Sequence, residues 1–357
     1  MADPLEEYRR KRDSARTPEP VPAADERPSG RGDTFVIQQH HATSLHWDLR
    51  LERDGVLVSW AVPRGVPRDP KRNHLAVHTE DHPMEYAAFH GEIPAGEYGG
   101  GRMTIYDTGT YETEKWRDDE VMVVLHGDRV DGRYVLYRTN GRDWMIHRMG
   151  SPPAGWTPMP ERIEPMRPQR ADALPGDDDA WAYEMAWAGL RAFGYVSGGR
   201  LRLVDAAGGA EIGRGYPELR ELAETLAPTE CVLDGVIVAL DAAGRISRDA
   251  LQPRLTTDQR AAARRAALKV PVQFLIVDLL WLDGEPTGDL PYRRRRELLD
   301  GLGLAGSYWQ TPPYFAGGGT FALAASQEQG LPGIVAKRLD SIYRGGVQGD
   351  DDWKLIA

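Results

Sequence analysis

Between Leu45 and Glu52 the chain alternates strictly: Leu45, Trp47, Leu49 and Leu51 are apolar, while His46, Asp48, Arg50 and Glu52 are polar. Successive side chains of a β-strand point to opposite faces, so this octad reads as a strand with one packed face. The other face presents imidazole, carboxylate and guanidinium in a row. His40 lies six residues before His46 and returns to the same patch through the turn Ala42-Thr43-Ser44. Two imidazoles and a carboxylate suit a divalent metal, and the adjacent Arg50 suits a phosphate. A single histidine on a strand is ordinarily a surface or packing residue. Three ligand-type residues and an arginine on one expected face point instead to metal-assisted chemistry on a phosphorylated substrate.

The strand sits among others. From Phe35 to Met149 short alternating runs are separated by Arg53-Asp54-Gly55, Pro63-Arg64-Gly65, Gly99-Gly100-Gly101, Asp107-Thr108-Gly109, Asp131-Gly132 and Asn140-Gly141. Many short strands with hairpin-type turns predict a mostly β, compact barrel or sandwich over 34–150. Residues 1–33 are polar and Pro-rich and read as an extended arm. Residues 151–171, again dense in Pro, read as a linker. Residues 172–357 mix strands (WAYEMAWAGLRAFGYV, CVLDGVIVALD, VQFLIVDLLWLDG) with helices over Pro217–Leu226, DQRAAARRAALK and Arg293–Gly301, an α+β pattern. A length of 357 residues accommodates two domains, each with its own core.

The net charge of −10 argues against a strong nonspecific DNA binder but leaves room for a local basic groove. Arg9-Arg10-Lys11-Arg12 and Arg293-Arg294-Arg295-Arg296 are the candidates, the second read as a solvated helix face. The one cysteine, Cys231, excludes an intramolecular disulfide and a cysteine-rich zinc site. The start, MADPLEEYRRKRD, has no apolar leader core, and no run of about 18 apolar residues occurs, so neither a secretory signal nor a membrane span is expected. A cytoplasmic location is the default.

The stretches LHWDLRLERDGVLVSWAVPRG and LAVHTEDHPMEYAAFHGEIPAGEYGGG, with the arm segment YRRKRDSARTPEP, resemble the 3′-phosphoesterase domain of bacterial DNA ligase D. The resemblance covers roughly residues 5–150. It implies a Mn²⁺-dependent enzyme (other divalent metals remaining open) that removes a 3′-terminal ribonucleoside and then the 3′-phosphate. On the matching positions, His40, His46 and Asp48 would be the metal ligands and Arg50 would hold the scissile phosphate. His82, in EDHPMEY, would contact the phosphate and is the candidate general acid. Tyr86 would matter more for the phosphomonoesterase step. Arg12, Asp13 and Glu19 would support the pocket from the arm, which on this resemblance folds over the site in part. Arg64 stands where the family commonly has Lys, and Gln38 is a further polar contact. His41 should face away; His74, His78, His90, His126 and His147 read as surface or packing residues.

Residues from about 172 to 357 resemble the adenylation (nucleotidyltransferase-like) domain of ATP-dependent DNA ligases, through YEMAWAGLR, LDGVIVALD, FLIVDLLWLDG, GLPGIVAKR and DDWKLIA. The chemical residues differ from the family pattern. Ala186 stands at the nucleophilic lysine, Ala188 at its neighbouring Asp, Val236 and Pro332 at two glutamates, and Leu355 and Ala357 at the terminal lysines, with Lys354 one position away. Alanine has no amine to attack the α-phosphorus of ATP. Gly189, Arg191, Asp234, Gly235, Lys337 and Arg338 remain. This half therefore reads as a pseudo-ligase for which ATP is not expected.

The resemblance implies a nucleoid-associated end-joining factor acting on DNA 3′ ends that carry a terminal ribonucleotide or a 3′-phosphate. Its implied partners are a Ku-like end-binding protein and a separate polymerase and ligase, with no membrane. The alternative is a noncatalytic scaffold that binds DNA ends or partner proteins.

Overall fold

In the computed structural model, which describes residues 3–23, 30–256, 259–346 and 351–357, the alternating octad lies in the second of eight strands that close a barrel. β1 (Thr34–His41), β2 (Leu45–Arg53), β3 (Val56–Val62) and β4 (Asn73–His78) run in order. The strands Asp143–Met149, Asp131–Asn140, Glu120–Gly127 and Gly101–Arg117 follow, and the last pairs with β1. All of these pairings are antiparallel. One face of each strand fills the barrel: Phe35, Ile37, Trp47, Leu49, Leu51, Trp60, Leu125 and Ile146 are buried there. The β2–β3 hairpin turns at Asp54 and Gly55, with φ of 51° and 82°, the paired left-handed geometry that a two-residue hairpin demands.

One turn signal misleads. Asp107-Thr108-Gly109 lies inside the 17-residue strand Gly101–Arg117 rather than between strands. Asp107 is buried, and its carboxylate accepts backbone N–H bonds from Asp128, Arg129 and Val130 at 3.2, 3.1 and 2.7 Å. Gly109 is required by proximity, because a Cβ there would stand 2.1 Å from the His126 carbonyl oxygen. Both residue types that ordinarily end strands serve here to bring a neighbouring strand and loop close.

The arm differs from its composition as well. It forms α1 (Glu6–Arg10), and Leu5 and Tyr8 pack with Val56, Leu57, Tyr86, Ile93 and Met103. Tyr8 donates to the Pro20 carbonyl at 2.7 Å. The reading as an extended segment is thus corrected for residues 3–23; residues 24–29 lie outside those described.

The chain divides into two compact units between Trp156 and Thr157. The second unit holds two sheets. One orders Gln169–Ala171, Trp353–Ile356, Ile334–Arg338, Trp181–Met185 and Phe315–Ala316; Gln169–Ala171, inside the Pro-rich stretch, pairs parallel to Trp353–Ile356. The other is built on Arg200–Asp205, Leu190–Ser197, Cys231–Ala239 and Val272–Leu282. Helices form at Glu221–Leu226, Arg260–Lys269 and Tyr292–Gly301, close to the sequence expectation, and also at Arg248–Leu255 and Gly319–Glu328, which it did not mark. No helix among the described residues is long and apolar enough to cross a membrane.

Candidate active site

The outer face of β1 and β2 carries the polar set. Register places His40 opposite His46, and Gln38 opposite Asp48. Each histidine is tied by one ring nitrogen to a backbone carbonyl: His40 Nε2 donates to Gly99 O at 2.8 Å, and His46 Nδ1 donates to Ser44 O at 2.9 Å. The remaining nitrogens, His40 Nδ1 and His46 Nε2, lie 3.8 and 3.7 Å from the two carboxylate oxygens of Asp48. The three ligand atoms sit within 4.8 Å of one another. A carbonyl that fixes the tautomer and leaves a lone pair on the other nitrogen is what a metal-holding histidine needs. Burial pulls the His40 pKa down despite Asp48, which keeps the ring neutral, the form that coordinates. The residues therefore fit a divalent cation. Gly101 lets β1 end here, since a Cβ would stand 2.2 Å from His41 O.

Arg50 adjoins this set and is buried. It donates to Asp48 Oδ2 at 2.9 Å, Gln38 Oε1 at 2.7 Å and Ser59 Oγ at 2.9 Å. Gln38 in turn donates to the carbonyls of Tyr86 and Phe89, both at 2.9 Å. Guanidinium offers five N–H donors, so this framework orients Arg50 and leaves donors for a ligand.

The arm brings a second guanidinium. Arg12 donates to Glu19 at 2.8 Å, to Glu80 at 3.1 Å and to His82 Nε2 at 3.3 Å, and it lies 3.9 Å from the Tyr8 ring centroid. Tyr86 donates to Glu19 at 2.8 Å, as does Thr17 at 2.7 Å. His82 donates from Nδ1 to Glu80 O at 2.8 Å and stands 4.7 Å, centroid to centroid, from Tyr86. Burial, with Arg50 and Arg12 close by, pulls the His82 pKa well below its ordinary value. His82 is thus neutral in the ligand-free pocket, with its lone pair facing Arg12. Burial raises the Tyr86 phenol well above its usual range, so it remains a donor.

The structure gathers His40, His46, Asp48, Arg50, His82, Tyr86, Arg12, Glu19 and Gln38 into this region. Asp13 is exposed and does not reach it; its side chain accepts from Ala15 N at 3.0 Å and its carbonyl from Thr17 N at 3.1 Å, shaping the turn that delivers Glu19. Arg64 is exposed just past β3, at the end of the sheet where Val62 pairs with Trp47. Sequence reasoning missed Glu80, which anchors both Lys11, at 2.9 Å, and Arg12. The available signal was an acid inside the motif EDHPMEY itself, two residues before His82.

In the second unit the altered positions meet. Ala186 N–H donates to Gly333 O at 2.9 Å, beside Pro332, and a Cβ at Gly189 would stand 2.7 Å from Val236 Cγ1. The retained charges nearby are paired. Lys337, buried, meets Glu184 at 2.8 Å, and Tyr292 donates to the same carboxylate. Arg191 holds Asp234 by two bonds of 3.0 and 2.6 Å, and Arg295 holds Asp278 by two of 2.8 and 2.9 Å. Arg295 and Arg296 are buried, which corrects the reading of Arg293–Arg296 as a solvated face. Lys354 lies 3.9 Å from Asp351 and 5.3 Å from the Trp181 ring.

Comparison with known proteins agrees with both halves. Residues 38–138 match the family model described as the DNA ligase D 3′-phosphoesterase domain, and residues 170–355 match that of the ATP-dependent DNA ligase domain. The chain is 45% identical over 351 residues to a protein of Mycobacterium bovis described as a multifunctional non-homologous end joining protein, LigD; the match covers 97% of this chain and 44% of that one. A Pseudomonas aeruginosa protein of the same description is 31% identical over 408 residues, covering 98% and 46%. A solved structure of mycobacterial DNA ligase D complexed with ATP and MES is 34% identical, with a TM-score of 0.47, covering 54% of this chain and 60% of that one. The chain thus spans less than half the length of these two curated relatives.

Proposed function

The chain belongs to the ATP-dependent DNA ligase family, carries a ligase D 3′-phosphoesterase domain and is homologous to ligase D proteins; from this premise we propose that its first unit is a Mn²⁺-dependent 3′-end-healing phosphoesterase of DNA repair by non-homologous end joining. The observation that carries this reading is the convergence of the free His40 and His46 nitrogens on Asp48, next to Arg50. His40, His46 and Asp48 would hold the metal. When bound, a divalent cation polarises a phosphoryl oxygen and lowers the pKa of water.

The chain's own residues do the rest. Arg50, fixed by Asp48, Gln38 and Ser59, and Arg12, fixed by Glu19 and Glu80, bind the non-bridging oxygens and stabilise the charge that grows there. At a 3′-terminal ribonucleotide, water oxygen bonds to phosphorus, the P–O5′ bond breaks, and the terminal nucleoside leaves with a 5′-hydroxyl. A 3′-phosphate remains. In the second reaction water attacks again, the P–O3′ bond breaks, and inorganic phosphate and a 3′-OH result. A bound phosphate favours the imidazolium form of His82, so His82 gains its proton with the substrate and gives it to the leaving oxygen. Tyr86, which gives its one hydroxyl hydrogen to Glu19 in the ligand-free pocket, turns that hydrogen to the extra oxygen of a terminal phosphate.

The second unit is proposed to be a ligase domain without ligase chemistry, against the names of its relatives. That reading rests on Ala186, Ala188, Val236 and Pro332 and on the mutual pairing of Lys337 with Glu184. The proposed partners are DNA 3′ ends, a Ku-like protein, and a polymerase and ligase on other chains, in the cytoplasm at the nucleoid.

A 5′-labelled primer on a template, ending in one ribonucleotide, tests the first claim. Shortening to a 3′-phosphate and then a 3′-OH product, with Mn²⁺ and not with chelator, is expected. An unchanged primer in folded, metal-loaded protein would refute it and favour the scaffold reading. For the second unit, incubation with α-labelled ATP should leave the protein unlabelled.

A further inference from the structure

At one end of the barrel, on the face of β3 opposite Ser59 and Arg50, a cavity of about 280 Å³ opens beside Trp60, His78, Trp116 and Trp144. Ser59 turns its hydroxyl to Arg50, and Trp60, the next residue, points to the barrel interior. The hairpin turns at this end are those after Arg53, Arg117 and Asn140, whereas His40 and His46 lie at the β1–β2 turn. The lining residues Val58 and Trp60 pair with Leu51 and Leu49, five and three steps along β2 from His46, roughly 17 and 10 Å at strand rise, and their side chains lie on the opposite face of the sheet from His46 and Arg50. The cavity is therefore distinct from the metal patch.

Its walls are aromatic. His78 and Trp144 stack at 27° with centroids 5.9 Å apart, and Trp60 meets both edge-on at 5.3 and 5.7 Å. Burial, then Arg142 and Arg138, lower the His78 pKa, so His78 offers a neutral ring face. The Trp60 side chain is 1% exposed, and its indole N–H has no acceptor. Buried donors are nearly always satisfied, so an orphan donor lining a cavity asks for an acceptor from outside. Two guanidiniums stand at the opening. Arg138 lies 5.7 Å over the Trp144 ring, and Arg117 is exposed with no ion pair among the described residues. Arg138 donates to the Asp118 carbonyl, and the Asp118 carboxylate, also in the lining, can accept from an exocyclic amine.

We propose that this barrel end is a stacking pocket for one nucleobase, with Trp60 donating to a ring acceptor and Arg117 and Arg138 holding its phosphate. Ring faces take any base by stacking, and guanidinium is the side chain suited to phosphate. The volume falls just below that of drug-sized ligand sites, which suits one ring system. The ligand chemistry is a base with its phosphate, supplied by a nucleic acid strand or by a free nucleotide.

The full chain with ¹⁵N-labelled tryptophan reports on this directly. It has ten indole signals, and Trp60→Phe assigns the one that matters. Deoxyadenosine 5′-monophosphate and a deoxyadenosine hexanucleotide are titrated separately without metal. The Trp60 signal should move with at least one of them, and whichever moves it names the source. Arg117→Ala with Arg138→Ala should weaken binding at least ~10-fold while the other indole signals keep their positions. A Trp60 signal that stays still with both ligands at ~1 mM, or unaltered affinity in the double variant, overturns the proposal. The inference does not rest on the phosphoesterase reading. Binding is read without metal or cleavage, so a still Trp60 signal beside intact end trimming sinks the pocket alone.

Discussion

In the barrel, the carboxylate of Asp48 faces two imidazole nitrogens that have no other partner, and Arg50 and Arg12 keep N–H donors beyond those their neighbours use. In the second unit, Glu184 meets Lys337, Asp234 meets Arg191 and Asp278 meets Arg295, each at hydrogen-bond distance. Both regions collect buried charge, and both descend from enzyme families. One leaves lone pairs and donors unused; the other cancels them in pairs around alanine, valine and proline. On the proposed reading of the second unit, burial of charge alone does not mark a reactive site. What marks it is polar capacity that the protein itself does not consume.

This contrast can be broken most strongly at the metal patch. His40→Ala or Asp48→Ala should take end trimming to background while the barrel stays folded; surviving activity would refute the ligand assignment. In the second unit a comparable change should act on stability instead. Asp278→Ala leaves Arg295 buried and unpaired, and should cost about 3–5 kcal/mol of that unit's unfolding free energy with little change in trimming rate. Chemical denaturation followed beside the primer assay separates the two effects.

Arg50→Lys sharpens the comparison from the other side. A lysine keeps the charge but loses the fork that Gln38, Ser59 and Asp48 orient, so trimming should fall roughly 10²–10³-fold while the barrel stays folded. Acid should weaken the barrel. Burial, Arg50 and Arg12 hold the folded-state pKa of His82 below its value of about 6.5 in an unfolded chain. Above pH 6.5 neither state is protonated and the full stability is present. As pH falls below it, the unfolded chain binds a proton that the folded one refuses, and stability drops by about 1.4 kcal/mol per pH unit until the folded pKa is reached. Thermal melts in chelator from pH 7 to 5 should show this slope, and His82→Asn should reduce it. The smallest effect is expected from Ala186→Lys, which restores an amine without Val236 or Pro332 being changed. No covalent label from α-labelled ATP should form; a labelled variant would show that the cleft still binds nucleotide.

Much of the barrel was legible because alternation is a local property: Leu45 to Glu52 shows its two faces without any partner strand. The patch was legible for the same reason, since His46, Asp48 and Arg50 share one face of β2. His82 was reachable only through family resemblance, because its neighbours Arg12 and Arg50 come from the arm and β2. Composition alone misread the arm, because it says nothing of the acceptors that wait for Arg12 and Tyr8; the resemblance had the arm fold over the site in part. Arg295 and Arg296 looked like surface charge. Their burial had a signal in Asp278, a lone carboxylate within the apolar run VQFLIVDLLWL, which needs a buried cation. The aromatic cavity was not legible, since Trp60, His78 and Trp144 meet only through long-range strand pairing.

The most direct test of the contrast is the number of Mn²⁺ ions the full chain binds, read from the electron paramagnetic resonance signal of free Mn²⁺ in a titration. One tight ion per chain, lost in Asp48→Ala, is predicted. No bound ion, or one that persists in Asp48→Ala, would contradict the account.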